Sequence, residues 1–192
     1  MHAQLQSHLS KLIELKATEA EAFSKAFTLR KLKRKEILLH EGEVCKYTAF
    51  ILKGCLRYFY NVEGQEHTGQ FFFENSWYTD YESFLSEKPS KQNIEALEKT
   101  EILLLQKKDL EKLYETYPKF ERFGRLMAEN AYLGVRKKNE NLVNLSPEDR
   151  YLKLVKERPK VIERVAQHYI ASFLGIQPQS LSRIRKRILE QP

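Results

Sequence analysis

The sequence predicts an α+β protein: a β sandwich or barrel preceded by short helices and followed by an all-helical C-terminal part. Three observations carry this. Between about Thr28 and Gln106, short runs rich in Phe, Tyr, Ile and Leu are separated by turn residues, the texture of many short strands rather than of βαβ units. After Lys107 the apolar residues recur at three and four, the helical period. Near the end, "HYIASFLGIQPQSLSRIRKRI", His168 to Ile188, joins two amphipathic segments through a glycine and places four cations in the second.

Taken in order, Leu5, Leu9, Leu12 and Ile13 share a helical face, and Thr18 with Glu21 reads as the capping box of a second short helix up to residue 26. The strand candidates are "AFILKG", "CLRYFYNV", "GQFFF", "IEAL" and "EILLLQ", with Gly42, Gly54 and Gly64 at turns. In "CLRYFYNV", Leu56, Tyr58, Tyr60 and Val62 alternate with Arg57, Phe59 and Asn61, which predicts two differently solvated faces. A short helix is expected over Lys108 to Glu115. Pro118 then opens a long one to about Leu145, with Phe120, Phe123, Leu126, Met127, Leu133 and Val135 on its apolar side. "SPED" at Ser146 to Asp149 is a helix start: a serine cap, a first-turn proline and two carboxylates at the positive helix end. "RYLKLVKE" continues that helix, which stops before Pro159. The expected organisation is residues 1–117 as the β domain with N-terminal helices, 118–145 as a connecting helix, and 146–192 as a small helical domain.

The composition bounds the function. With 192 residues, 42% hydrophobic and 31% charged, the chain reads as a globular protein. A net charge of +7 suits a polyanionic partner. No apolar run nears the roughly 20 residues of a membrane span, and "MHAQLQSHLSKL" lacks the apolar core of a signal peptide, so a cytoplasmic location without membrane partner is expected. Cys45 and Cys55, without CxxC spacing, read as reduced thiols.

The closing stretch carries the function. Ile170, Phe173 and Leu174 make a compact helical face, and Gly175 supplies the left-handed exit turn. Ile176 is expected to plug the corner, and Pro178 opens the second helix, where Leu181, Ile184 and Ile188 line one side. The opposite side collects Gln179, Ser182, Arg183 and Lys186 at i, i+3, i+4 and i+7. Amide, hydroxyl and guanidinium groups are those that read base edges, while Arg185 and Arg187 project to the flanks, where they could meet phosphates; Gln177 and Ser180, at the helix start, complete the expected DNA-binding set. This is the pattern of a DNA-reading helix-turn-helix.

With these residues in place, the chain resembles the Crp/Fnr family of bacterial transcription regulators over nearly its whole length. "IASFLGIQPQSLSRIRKRI" matches that family's helix-turn-helix, and the strands around Gly42, Gly54 and Gly64 fit its double-stranded β-helix, or jelly roll. The resemblance implies a homodimer joined along the long helix, here through Phe123, Met127 and Gly134. It also implies base contacts from Gln179, Ser182 and Arg183 on a pseudo-palindromic operator with half-sites roughly 34 Å apart, and RNA polymerase as a further partner. The DNA-binding part is winged-helix-like with a truncated wing, since the only segment left to form one is "RPKVIERV", ahead of the first reader helix.

In cyclic-nucleotide-binding relatives a Gly-Glu pair and an arginine hold the ribose and cyclic phosphate. Aligned without gaps, Thr79 and Asp80 stand at the pair and Ser90 at the arginine, with Lys91 beside it. Val135 and Arg136 stand where base-contacting hydroxyls are expected. Cyclic AMP is therefore not expected as effector. Tyr78, Thr79, Asp80, Glu82, Ser83, Ser90 and Lys91 mark where another small effector would bind, and its identity is left open.

No cofactor is expected. Two cysteines are too few for an iron–sulfur sensor, and His40 and His67 form no HxH pair for a cupin metal. Without a phosphate loop, GxSxG or HExxH, the chain is not read as an enzyme. The alternative reading is an effector-binding or protein-docking β-roll module whose helix-turn-helix no longer binds DNA.

Overall fold

The structure is a computed structural model, and it describes residues 3–190. Helices α1 (Ala3–Leu9) and α2 (Ala17–Lys25) lead into β1 (Phe27–Leu32), β2 (Ile37–Leu39), β3 (Tyr47–Lys53), β4 (Leu56–Val62), β5 (Gln65–Phe72) and β6 (Trp77–Tyr78). After α3 (Tyr81–Ser86) come β7 (Asn93–Ala96) and β8 (Thr100–Gln106). The rest is helical: α4 (Lys107–Thr116), α5 (Lys119–Asn144), α6 (Pro147–Glu157), α7 (Pro159–Arg164), α8 (Gln167–Leu174) and α9 (Pro178–Glu190). Among the described residues no helix is long and apolar enough to cross a membrane.

The strands form two four-stranded sheets, ordered β1-β8-β3-β6 and β2-β7-β4-β5. β8 lies antiparallel between β1 (Phe27 opposite Leu105) and β3 (Ala49 opposite Leu104). Its run Ile102 to Leu105 is wholly buried, as a strand covered on both faces must be. Gly42, Gly54 and Gly64 all have positive φ, as their turn positions predict. At Gly54 (φ +101°) a Cβ would also lie 2.4 Å from the Thr100 hydroxyl, so only glycine fits between β3 and β4.

The chain divides into two compact units, which do not follow one another along the sequence. One contains residues up to Arg57 and Phe72–Tyr132; the other contains Tyr58–Phe71 and the residues from Leu133 onward. The first unit has its core where the N-terminal helices meet the β1–β8–β3–β6 sheet: Leu5, Leu9, Phe23, Phe50, Leu103, Leu105, Phe120 and Phe123 form one buried cluster. Phe23 stacks on Phe120 at 4.9 Å between ring centroids and meets Phe123 edge-on at 5.7 Å. In the second unit the last half of α5 is tied to α6 by Arg150, which donates to the Leu142 and Leu145 carbonyls (3.1 and 3.0 Å), and by Lys153 on Asn141 (2.9 Å).

Several expectations are corrected. The cap of α2 is made two residues earlier than Thr18 and Glu21: the Glu19 carboxylate accepts the Lys16 N–H at 2.6 Å, and Glu21 instead pairs with Lys25. β4 does not alternate between a wet and a dry face. Leu56 and Arg57 are both fully buried, while Tyr60 and Val62 are exposed, so burial falls off along the strand rather than alternating across it. Arg57 is tolerated inside because its Nε donates to the buried Glu95 carboxylate at 2.8 Å, with Lys35 3.0 Å from the other oxygen. "RPKVIER" forms α7, so no wing is built from it.

The apolar side of α5 is likewise split between two faces. Phe120 and Phe123 are core residues, and Met127 packs against them. Phe123 therefore faces its own domain and is not available to a partner. Leu133 and Val135, expected on that side, are 61% and 54% exposed. Gly134 is exposed with open space around its Cα.

Candidate functional site

The helix-turn-helix segment forms by local rules. α8 ends on Gly175 in the left-handed region (φ 68°, ψ 35°). The Ile176 N–H returns to the Ala171 carbonyl at 3.0 Å, the six-to-one bond that closes a helix with such a glycine. Ile176 itself is half-buried rather than buried. The Gln177 carbonyl accepts from Ser180 and Leu181 (3.0 and 3.2 Å) and so starts α9 behind Pro178. Tyr169, Ile170, Ala171 and Leu174 of α8 are buried, as are Leu181 and Ile184 of α9, with Ile188 half-buried. α8 and α9 pack on each other, which fixes α9 by its apolar side.

The other side of α9 is open. Gln177, Gln179, Ser182, Arg183, Lys186 and Arg187 are exposed, and Ser180 and Arg185 are half-buried. Arg183 has only a weak intrahelical contact, Nε to the Gln179 carbonyl at 3.4 Å, and its guanidinium remains available. Lys186 is 3.7 Å from Glu190. Arg187 is engaged: its guanidinium lies 3.1 Å from the carboxylate of Glu148, in the first turn of α6. Sequence reasoning gave Glu148 only a capping role, which the Ser146 cap itself supports: Ser146 accepts the Asp149 N–H at 3.1 Å. Its second role as a brake on Arg187 has no local signal. The four cations of α9 face one acidic residue on their own helix and this one beyond it.

The cassette residues come together, but they serve one another. Asp80 caps α3, taking the Ser83 N–H on one oxygen (3.4 Å) and the Ser90 hydroxyl on the other (2.6 Å). Ser90 also accepts the Gln92 N–H (3.1 Å), and its backbone bonds to Glu43 and Gly42 (2.8 Å each). Ser83 donates to the Lys88 carbonyl (2.6 Å) and accepts the Cys45 N–H (2.9 Å). Thr79 donates to the Tyr47 carbonyl at 2.9 Å. Tyr78, Asp80, Ser83 and Ser90 are all buried, whereas Glu82 and Lys91 form an exposed pair at 2.5 Å. Burial pushes the neighbouring Cys45 thiol above its ordinary range and drives the Tyr47 phenol up as well, so neither is a reactive anion. The Asp80 carboxylate is thus held by the Ser83 amide and the Ser90 hydroxyl. His40 and His67 are exposed, and among the described residues no group of three or more His, Cys, Asp or Glu is placed to hold a metal ion.

In chain order the structure joins a domain of two four-stranded sheets, a long helix and a helix-turn-helix. Residues 29–117 match the family model of the cyclic nucleotide-binding domain. No curated protein matches the chain significantly. Among solved structures it is similar to FixK2 from Bradyrhizobium japonicum, at 17% identity, with 84% of each chain covered and a TM-score of 0.71. It is similar also to CLP from Xanthomonas campestris, a c-di-GMP-responsive global regulator, at 15% identity, with 91% of this chain and 92% of that one covered and a TM-score of 0.72. A CooA mutant from Carboxydothermus hydrogenoformans matches at 15% identity over 95% of this chain and 83% of that one, with a TM-score of 0.69. These neighbours are Crp/Fnr transcription regulators, and the chain has their fold.

Proposed function

We propose that this chain is a transcription regulator that binds duplex DNA as a homodimer and does so without cyclic AMP. The observation that carries the DNA reading is the two-sided α9: its Leu181–Ile184 side is buried and its Gln179–Ser182–Arg183–Lys186 side is open. In this reading Arg183 makes a bidentate contact to guanine, and Gln179 and Ser182 meet neighbouring base edges. Gln177, Ser180, Arg185, Lys186 and Arg187 serve the phosphates. RNA polymerase is the partner whose access such binding would alter, and the cytoplasm is the compartment where it would happen. The protein acts by binding, not by catalysis. Residues 1–117, 118–145 and 146–192 act as sensor, connector and reader.

The dimer seam is assigned to the solvent side of α5. Tyr132, Val135 and Val143 are 64%, 54% and 83% exposed, and with Ala128, Ala131 and Leu142 they fall within about a third of the helix circumference at 100° per residue. A second copy of the chain, paired along this stripe, covers it and presents two α9 helices to one palindrome. Light scattering on Val135→Asp reads the outcome: a dimer that persists unchanged rules this seam out.

Cyclic AMP is disfavoured by the Asp80–Ser90 pair. A cyclic phosphate entering there meets a buried carboxylate where it needs a cation, and Ser90 offers no positive charge. Calorimetry with millimolar cyclic AMP should give no saturable heat; clear binding overturns this part.

The DNA reading is tested by selecting bound fragments from genomic DNA and then measuring Arg183→Ala on the site obtained. The expected loss is about 1–3 kcal/mol, with relaxed preference at one base pair. Unchanged affinity and selectivity would remove Arg183 from the interface.

A further inference from the structure

The β4–β5 hairpin, residues 58–71, lies in the same compact unit as α8 and α9. It carries no residue of the reader or the cassette, yet side chains of α8 and its neighbours join it to α8. The Ser172 hydroxyl donates to the Glu66 carbonyl at 2.8 Å and accepts the Thr68 N–H at 2.9 Å. β5 is the outer strand of its sheet, and the carbonyl of one residue with the amide two further on is the pair that one residue of a parallel neighbour would engage. Ser172 thus engages the edge of β5 as one residue of a parallel strand would.

Beside it, the Phe173 ring lies 5.3 Å from Phe71 and is faced by Lys138 Nζ at 4.8 Å and the Arg158 guanidinium at 5.8 Å. Both cations bond back to the hairpin. Lys138 donates to the Gly69 and Thr68 carbonyls (2.6 and 3.3 Å), and Arg158 to the Phe71 carbonyl (2.7 Å) and the Gln70 side chain. Two adjacent residues of α8 are thereby locked to β5, one by both functions of its hydroxyl and one by a ring held between an aromatic and two cations.

We propose that Ser172 and Phe173 are positioning residues for DNA recognition: the hairpin clamps α8, and α8, packed against α9, sets the attitude of the reading helix. This rests on the DNA reading above. Neither residue is expected to touch a base or a phosphate; they limit how far the reader can tilt. The clamp makes β5 an element through which any displacement of the hairpin reaches the operator contact.

The test compares Ser172→Ala with Ser172→Thr, which keeps the hydroxyl, in the full-length chain. Amide exchange reads the clamp without DNA. The Thr68 amide is expected to exchange about 5- to 10-fold faster in Ser172→Ala and near the parent rate in Ser172→Thr. Spin labels at Asn61→Cys and Ser182→Cys should give a broader distance distribution in the alanine variant alone. On selected DNA, Ser172→Ala should lower the ratio of specific to non-specific affinity about 5-fold, with the threonine variant restoring it. Unchanged Thr68 exchange overturns the clamp. Faster exchange with an unbroadened distribution, or with the same affinity ratio as the parent, overturns the positioning role. A parent chain that selects no DNA but shows both spectroscopic changes would sink the regulator reading and leave the clamp standing.

Discussion

Removing a carboxylate should tighten DNA binding here. Glu148 lies 3.1 Å from the Arg187 guanidinium, with the Arg187 side chain 60% and the Glu148 side chain 28% exposed. When a phosphate takes Arg187, the pair with Glu148 has to loosen, and an exposed pair of this kind contributes about 0–1 kcal/mol. Glu148 then stands near the phosphate; at about 6 Å in water the repulsion is about 0.7 kcal/mol. Glu148→Gln removes both effects, so affinity should rise about 5-fold, corresponding to about 1 kcal/mol. The gain should be equal for operator and scrambled duplex, since phosphates carry no sequence, and it should shrink as salt is raised. Glu148 also faces the positive end of α6, so the variant should lose about 0.3–1 kcal/mol of folding stability. Fluorescence anisotropy on both duplexes from 50 to 300 mM salt reads the binding. Weaker binding, or a gain confined to the operator, refutes the assignment of Arg187 to phosphate.

Three further outcomes follow from the geometry. Glu95→Ala removes the carboxylate that the buried Arg57 Nε donates to at 2.8 Å and should cost about 3–5 kcal/mol in urea unfolding. Arg57→Met should cost clearly less, because Lys35 still neutralises Glu95; equal costs would contradict the pairing. Burial, with Arg158 nearby, lowers the Lys138 pKa to about 8. Between pH 8 and 10.5 the unfolded chain therefore holds a proton that the folded one has lost, so folding stability relative to Lys138→Met should climb across that window and stay flat below pH 8. Parallel curves for the two proteins would refute it. Gly69→Ala should collapse the hairpin packing, since a Cβ there would lie 1.6 Å from the Tyr58 ring; a stability within 1 kcal/mol of the parent would count against that contact.

The helix-turn-helix was legible because its signals are local. Gly175 and Pro178 sit at fixed offsets from the helix ends, and the period of Leu181, Ile184 and Ile188 gives α9 its two sides whatever it packs on. The Ser146 cap was legible for the same reason. The cassette was half legible: Asp80 and Ser90 stand out as polar residues in an aromatic stretch, but nothing in their spacing says that they lie 2.6 Å apart and satisfy each other. For α5 the pattern announced apolar residues without saying which neighbour covers them, so Phe123, a core residue, was read as a dimer contact and the outward Val135 and Tyr132 were not separated from it.

The chain on its own therefore determined where the strand-rich and helical parts lie, where the helix-turn-helix turns, and which side of α9 stays polar, because backbone sterics, caps and periodicity act over a few residues. Tertiary structure alone decided that Arg57 could be buried, that Glu148 would restrain Arg187, and that Ser172 would close the edge of β5. Each of these needs a partner brought from a distant part of the chain. A charge or hydroxyl carries no mark in the sequence of whether water or a remote side chain will satisfy it.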